Sequence, residues 1–358
     1  MPNVTDNGER DLSEQFTGEE ASIYPMRPEW LALHKESAIE PDLPIIDPHH
    51  HLWHRDKEPY LLPQFLKDVY AGHNIIATVH VECHANYFDK GPQHLRPVGE
   101  TAYICKIAAE CETGKFGPSR IGAGIVGHAD LRMGVRVAEL LDAHIEAGQG
   151  RFRGIRQIVA WHPDPRVKCT LSNPPPSLLM DPTFREGFAA LAHRGLSYDC
   201  WAVHTQLDEL ADLAAAYPNT PIVAVHAGGA IRTGPYAGCR DRAFQEWRAA
   251  LRRLARQPNV YVKVGGFGIC LWGFNEFYNR PRPASSEELA SAWRPFIETC
   301  IETFGADRCM FESDSPVDRG LSDYLVIWNA FKHATKGYSP AERDALFHRT
   351  AAKAYRVD

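Results

Sequence analysis

Short apolar segments separated by longer amphipathic stretches run through most of this 358-residue chain. The apolar segments are rich in β-branched residues and almost continuously apolar, rather than alternating with polar residues. That pattern predicts strands buried on both faces of a parallel sheet. There are eight of them: residues 44–47, 74–83, 121–129, 152–160, 196–203, 221–227, 260–266 and 308–314.

Helical periodicity fills the stretches between these predicted strands. Residues 286–305 place apolar side chains at the i, i+3, i+4 and i+7 spacing of an amphipathic helix. Pro295 lies in the middle of that stretch and predicts two helices or a new helix start, because proline removes a backbone donor. Residues 134–148 and 181–195 show a simpler pattern, and both end at a glycine, as helices often do.

Eight strands alternating with helices predict a (β/α)8 TIM barrel, a fold of about 250 residues. We expect one barrel domain at 44–358, preceded by a polar, poorly ordered leader at 1–43. The extra length falls in strand-to-helix connections, which build the active-site face of such barrels. These connections are residues 84–97, 161–181, 228–240 and 267–285. An open doubly wound sheet is the alternative, but it favours a glycine-rich loop where this chain has DPHHHLW.

Composition narrows the classes of partner. The formal net charge is −6 and no lysine- or arginine-rich run occurs, so nucleic acid and acidic membrane surfaces are not expected partners. No segment approaches about 18 apolar residues, and the acidic N-terminus has no apolar core. Neither a membrane span nor a secretory signal is therefore predicted. The nine cysteines form no C-x-x-C pair, which favours reduced thiols and a cytoplasmic location.

Histidines follow several of the predicted strands, where a barrel directs side chains into one shared cavity. His49 and His51 are two residues apart, so an extended backbone places both on one face and turns His50 away. With His204 and Asp314 they would form a mononuclear site for a divalent metal ion of the zinc kind. The simpler alternative is that these histidines hydrogen-bond within the barrel and bind nothing. Convergence of the four side chains favours a functional site.

Five motifs together resemble those of the amidohydrolase superfamily, and specifically its amidohydrolase-related (amidohydrolase 2) branch. The resemblance covers about residues 43–358, and its strand-one and strand-eight motifs are specific only in combination. It implies a TIM-barrel hydrolase or decarboxylase that acts on small organic acids, lactones or aromatic compounds. The matching features are DPHHHLW, GIRQ, the strand-five His204, VAVHAGG and RCMFESDSPV.

The resemblance also implies roles for individual residues. By position, His49, His51, His204 and Asp314 correspond to the family's metal and catalytic residues, and His226 to its strand-six histidine. Two-metal members carry a carboxylated lysine on strand four, where this chain reads GIRQIV, so one divalent ion is expected. Zinc is favoured over manganese. Lactonases of this branch also work without a metal, and imidazoles that orient the substrate carbonyl directly are therefore the alternative.

Each predicted site residue has a chemical role and a structural alternative. Asp314 would take a proton from the attacking water and return it to the leaving oxygen, or else it belongs to a turn. His226 would polarise the substrate carbonyl, or else it hydrogen-bonds within the barrel. Arg156 would bind a substrate carboxylate, or else it forms an ion pair with Glu82 or Asp47.

The remaining predicted residues would contact the substrate from the cavity wall. Glu82 and His84 would add a second acid/base pair, although neutralising the strand-four arginine is the favoured role of Glu82. Trp53 and the aromatic loop 267–285, with Trp272, would contact a flat, ring-shaped substrate. The same loop would otherwise pack at a subunit interface, which makes a homodimer an expected assembly.

Three functions are compatible with these residues. The favoured one is hydrolysis of a small cyclic ester (lactone) or a related carboxylated or aromatic substrate, with Asp314 activating water. The second is zinc-dependent decarboxylation of an aromatic or unsaturated acid, which needs nearly the same residues. Asp47 at the start of the strand-one motif, in place of a glutamate, favours hydrolysis slightly. A non-catalytic metabolite-binding barrel is least favoured, because it predicts a missing base. Glu312, also at the end of strand eight, has no assigned role.

Overall fold

A parallel sheet forms the centre of the protein. The computed structural model describes residues 15–16, 21–55, 59–170 and 172–357. In this part of the chain eight strands lie in sequence order, each parallel to the next. They are β1 (Pro44–His50), β2 (Asn74–Val81), β3 (Arg120–His128), β4 (Phe152–Ile158), β5 (Ser197–Trp201), β6 (Ile222–Ala224), β7 (Val260–Val264) and β8 (Cys309–Phe311). The predicted TIM barrel is confirmed.

Helices alternate with these strands. Across the described residues they are α1 (Pro28–Leu31), α2 (Leu62–Val69), α3 (Val98–Glu112), α4 (Val137–Gly148), α5 (Pro182–Ala192), α6 (Leu207–Ala216), α7 (Arg240–Leu254), α8 (Asn275–Tyr278), α9 (Ser286–Phe304), α10 (Tyr324–Ala334), α11 (Pro340–Asp344) and α12 (Thr350–Tyr355). Among these helices, none is long and apolar enough to cross a membrane.

Pro295 does not divide its helix as predicted, because α9 is continuous through it. The apolar face on both sides of the proline is buried, including Trp293 and Ile297. Ser291, whose carbonyl loses its usual helical donor to the proline, is exposed and can be hydrated. Burial of the apolar face therefore outweighs the one missing hydrogen bond.

The barrel closes between its first and last strands at the end where the strands finish. The backbone N–H of His51 donates to the carbonyl oxygen of Ser315 at 2.7 Å. His50 and Ser315 also form an isolated parallel bridge. The loop after β1 is thereby held beside the loop after β8, and both loops carry predicted site residues.

A buried ion pair crosses the barrel interior. Lys263 Nζ lies 2.7 Å from Asp199 Oδ2, and the Tyr355 hydroxyl from α12 donates to the same oxygen at 2.7 Å. All three side chains are buried. The two charges compensate each other, since an unpaired charge at this depth would cost several kcal/mol. None of the nine cysteines, all of which lie in the described part of the chain, takes part in a disulfide bond.

Part of the predicted leader packs against the barrel. Its residues 1–14 and 17–20 lie outside the described residues. In the segment 21–43, Tyr24 and Trp30 are buried. Ile23 forms an antiparallel bridge with Ile269, in the loop after β7. The boundary between leader and barrel stays a prediction. The segment 21–43, however, packs against the barrel and is not poorly ordered as predicted.

The aromatic loop after β7 belongs to the core, contrary to the predicted substrate contact by Trp272. The Trp272 side chain is fully buried, with ring centroids 4.9 Å from Phe267, 5.1 Å from Phe296 and 6.2 Å from Trp247. Trp247 lies on α7 and Phe296 on α9, so the indole fills the space between these helices and the loop. Large aromatic surfaces gain more from such burial than from an exposed lid position.

The Trp272→Ala variant should lower the free energy of unfolding by about 3–5 kcal/mol, because it leaves a large cavity in the core. Phe88→Ala is the control, since Phe88 is 46% exposed and its loss should change stability by less than about 0.5 kcal/mol. Urea unfolding followed by far-UV circular dichroism measures both. Equal, small changes in the two variants would contradict the core position of Trp272.

Candidate functional site

Asp47 fixes the start of the loop that carries the strand-one histidines. Its carboxylate accepts hydrogen bonds from the Ser313 hydroxyl at 2.6 Å, the Ser313 N–H at 3.2 Å and the Tyr324 hydroxyl at 3.1 Å. Burial raises the pKa of Asp47 to about 6, although these hydrogen bonds oppose the shift. Asp47 thus ties β1 to the segment after β8.

The three consecutive histidines point to opposite sides of the strand. His50 Nε2 lies 3.0 Å from Thr78 Oγ1, and its ring stacks on Phe65 with centroids 4.0 Å apart. His49 and His51 turn the other way, with ring centroids 4.9 Å apart. This is the alternation predicted from an extended backbone.

His49, His51 and Asp314 converge on one point. Asp314 Oδ1 lies 3.5 Å from His49 Nε2 and 3.4 Å from His51 Nε2. Two ligands of a tetrahedral zinc ion are about 3.4 Å apart, because each bond is about 2.1 Å long. Both Asp314 oxygens are buried without a hydrogen-bond partner among the described residues. These three side chains therefore fit a divalent cation.

Glu312 orients two of the imidazoles. His49 Nδ1 donates to Glu312 Oε2 at 2.5 Å, and His226 Nδ1 donates to Glu312 Oε1 at 2.9 Å. The backbone N–H of His226 donates to the same Oε1, also at 2.9 Å. His51 Nδ1 donates to the Val81 carbonyl oxygen at 2.7 Å. These bonds set the tautomer in which each Nε2 keeps its lone pair, as metal-ligating histidines require.

His49 and His51 are kept neutral by their surroundings. Burial lowers the pKa of His49 well below its ordinary value, and the nearby cationic groups Lys263 and Arg156 lower it further. Burial and Arg156 have the same effect on the pKa of His51. Neutral imidazole is the form that binds metal ions or accepts protons.

Asp314 lies beside a second buried carboxylate, that of Asp318. Burial raises the pKa of Asp314 above its ordinary value, although His226 and Arg156 oppose the shift. Burial, together with the Asp314 charge, raises the pKa of Asp318 well above its ordinary value. A carboxyl with a raised pKa in a cavity is poised to exchange protons.

His226 and Asp314 both adopt left-handed backbone conformations, with φ of +53° and +47°. Such conformations are costly for residues other than glycine and are concentrated at functional sites. Gly266, after β7, makes room for the His226 ring, since a Cβ at that position would lie 2.3 Å from His226 Nδ1.

Arg156 and Glu82 form a buried ion pair, as predicted for Glu82. Arg156 Nε donates to Glu82 Oε1 at 2.7 Å. Burial alone would raise the pKa of Glu82, but Arg156 and neighbouring histidines lower it to about 2. The same guanidinium reaches the predicted metal site, because Arg156 Nη1 lies 3.2 Å from His49 Nε2. Arg156 therefore competes with a cation for that lone pair.

A cavity of about 500 Å³ opens above this cluster. Of the predicted site residues, it is lined by His51, Trp53, His84, Arg156, His226 and Asp314. The β5 residue Trp201 also lines it, and its indole meets the His226 ring edge-on at 4.8 Å. Ser22 and Ile23, from the leader, form part of the wall.

His204 does not join the cluster around His49, contrary to the predicted four-residue metal site. Within the described residues it belongs to no group of converging metal-ligand atoms. Its Nδ1 accepts a hydrogen bond from the Ile231 N–H at 3.1 Å, and its Nε2 lies 3.9 Å from Glu246 Oε2. The reason is that β5 ends at Trp201, earlier than predicted, so His204 lies beyond the strand in a short 3₁₀ turn.

Sequence reasoning missed the roles of three features. Glu312 was recognised as a strand-eight residue, but only the fold shows that it holds His49 and His226. Trp201 lies inside the predicted fifth strand, and its large ring next to a strand end was the available signal. The leader residues at 22–23 gave no signal, because their approach to the cavity depends on long-range pairing.

Comparisons with known proteins found similar sequences and a similar fold. A family model described as Amidohydrolase matches residues 46–357. The uncharacterised Sinorhizobium fredii protein y4mH is 36% identical over 338 residues, covering 88% of this chain and 99% of that protein. L-fucono-1,5-lactonase of Burkholderia ambifaria is 26% identical over 329 residues, covering 87% and 96%. A Burkholderia multivorans amidohydrolase structure with bound zinc has 25% identity and a TM-score of 0.66, covering 88% and 99%.

The Gly266→Ala variant should lower the free energy of unfolding by about 1–3 kcal/mol, because φ is +65° there and the added Cβ would collide with His226. Gly238→Ala is the matched control, since no atom lies within 4 Å of its added Cβ. Chemical denaturation measures both. A Gly266→Ala protein as stable as the control would show that His226 does not need this space.

Proposed function

Because this chain belongs to the amidohydrolase family, we propose that it hydrolyses a small cyclic ester, with a sugar lactone as the favoured substrate. The observation that carries the proposal is the buried Asp314 carboxylate, which lies within 3.5 Å of two neutral imidazoles at the cavity. The chain is an enzyme, and its relatives of 26% and 27% identity are L-fucono-1,5-lactonases. Family and site together favour hydrolysis.

Asp314 is the proposed proton acceptor and donor. Water adds to the lactone carbonyl carbon while one of its protons passes to the Asp314 carboxylate. Collapse of the tetrahedral intermediate breaks the bond between that carbon and the ring oxygen. Asp314 then returns the proton to the ring oxygen, which leaves as a hydroxyl group, and the product is a hydroxy acid. The raised pKa of Asp314 suits both transfers.

His226 and Arg156 are proposed to bind the polar groups of the substrate. The Nδ1 of His226 donates to Glu312, so its Nε2 keeps a lone pair and would accept a hydrogen bond from a substrate hydroxyl, whereas polarising the carbonyl would require a proton on Nε2. The cationic Arg156 lines the cavity and suits a carboxylate or a developing negative charge. Trp53 and Trp201 offer apolar walls for a ring.

We propose that His49, His51 and Asp314 hold one divalent ion, with zinc favoured over manganese. The orphaned Asp314 oxygens and the hydrogen-bonded Nδ1 atoms of both histidines support this donor set. When bound, such an ion supplies Lewis-acid polarisation of the carbonyl and lowers the pKa of water. Arg156 supports the metal-free alternative, because it already donates to His49 Nε2 at 3.2 Å.

The Asp314→Asn variant should lower kcat about 10²- to 10⁴-fold, because the amide cannot accept the proton. L-fucono-1,5-lactone and related sugar lactones are the substrates to use, with acid release followed by a pH indicator. Asp89→Asn, at an exposed position, is the matched control and should retain full activity.

In the unsubstituted enzyme, kcat/KM should fall as pH drops through a pKa above the ordinary value of aspartate, because protonated Asp314 cannot act as base. Full turnover by Asp314→Asn would show that Asp314 is not the base. Release of CO₂ from an aromatic or unsaturated acid, without lactone opening, would replace hydrolysis by decarboxylation as the function.

Removal of metal should abolish lactone hydrolysis, and added Zn²⁺ or Mn²⁺ should restore it. Chelator already saturated with Zn²⁺ is the control for direct effects of the chelator. Metal content measured by mass spectrometry on the same samples should track activity. A chelated enzyme with less than about a tenth of an equivalent of metal and full activity would establish the metal-free site instead.

A further inference from the structure

We infer that the protein has a second divalent-cation site, formed by Glu82, His84 and His128. It is separate from the cluster of His49, His51 and Asp314. Glu82 and His84 follow β2, and His128 ends β3, so two neighbouring strands bring the three side chains to the same rim of the barrel. The inference does not depend on the proposed hydrolysis.

The donor atoms are close enough to share one ion. One ligand atom from each of the three residues lies within 4.8 Å of the other two. Glu82 Oε2 is 3.4 Å from His84 Nε2, which matches the spacing of about 3.4 Å between two ligands of a tetrahedral zinc ion. The rings of His84 and His128 are adjacent, with centroids 4.8 Å apart.

The ion pair with Arg156 involves only one of the two Glu82 carboxylate oxygens. Arg156 Nε occupies only Oε1. Oε2 is buried and has no hydrogen-bond partner among the described residues, although the Glu82 side chain is 0% exposed. His84 Nε2 lies 3.4 Å from this Oε2, and a buried carboxylate oxygen without a hydrogen bond costs free energy unless a cation or donor satisfies it. A metal ion bound by Oε2 supplies that partner.

Both imidazoles carry the outer hydrogen bonds typical of metal ligands. His128 Nδ1 donates to the Arg156 carbonyl oxygen at 3.3 Å, which leaves Nε2 with the lone pair. His84 Nδ1 lies 3.2 Å from the Tyr87 hydroxyl, and in the tautomer in which this hydroxyl accepts, the Nε2 that faces Glu82 keeps its lone pair. A second ring nitrogen bonded to a carbonyl or hydroxyl fixes the tautomer and the ring orientation of a ligand.

Two histidines and one glutamate are a donor set for zinc and similar transition-metal ions, with a further coordination position open. His84 lines both the 500 Å³ cavity and an adjoining cavity of about 220 Å³, which His128 also lines. The His84 side chain is 53% exposed, so an ion can enter from solvent. Because His84 lines both cavities, an ion bound there would be within reach of a hydroxyl or carboxylate oxygen of a bound small molecule.

Zinc binding in a His49→Asn/His51→Asn background tests the second site without the first. Titration with Zn²⁺ against a competing chelator should show one equivalent bound per chain. Adding His128→Gln to this background should weaken binding at least about tenfold, because one of three ligands is lost. Co²⁺ should report the same site through the visible absorption that nitrogen ligands produce.

His84→Gln, at an exposed position, gives the same test with little effect on folding, which circular dichroism checks. His94→Gln is the matched control, since His94 and Glu139 form an exposed pair 3.2 Å apart and should contribute no Zn²⁺ affinity. A background protein that binds no Zn²⁺, or equal binding with and without His84, would overturn the second site. Neither outcome bears on Asp314, whose role is tested separately by lactone turnover.

Discussion

The buried carboxylate of Glu312 is the group on which the site depends. It accepts hydrogen bonds from His49 Nδ1, His226 Nδ1 and the His226 backbone N–H. A carboxylate without such donors would cost several kcal/mol at this depth, so the three bonds compensate its charge. The same bonds fix both rings and leave each Nε2 for a cation or a substrate. One residue at the end of β8 thus organises side chains from β1 and β6.

Two buried ion pairs also influence the site. Lys263 pairs with Asp199 inside the barrel, and Arg156 pairs with Glu82 at the rim. Together with burial, the two cations lower the pKa of His49. The His49 imidazole is therefore kept neutral by its burial and by charges on neighbouring strands. Arg156 also stands between the two proposed cation sites, because it contacts His49 on one side and Glu82 on the other.

Part of the site was predictable because side chains alternate between the two faces of a strand, so residues two apart lie on the same face. Alternation in an extended segment separated His49 and His51 from His50, and the structure shows that separation. The prediction for His204 was wrong for a local reason. β5 ends at Trp201, and the following turn places the histidine away from the cluster around His49. The prediction for Trp272 was wrong because an aromatic residue in a long loop gives the same sequence pattern whether the loop is an exposed lid or part of the core.

From the sequence, local periodicity and apolar burial were enough to predict the eight strands, their parallel pairing and the side of β1 on which His49 and His51 lie. The contacts of Glu312 with histidines from other strands, and the Glu82 oxygen left without a hydrogen bond, arise only from the three-dimensional fold. These contacts join residues as many as 263 positions apart, as His49 and Glu312 are. Their distances are set by closure of the barrel through His51 and Ser315, which no local pattern encodes.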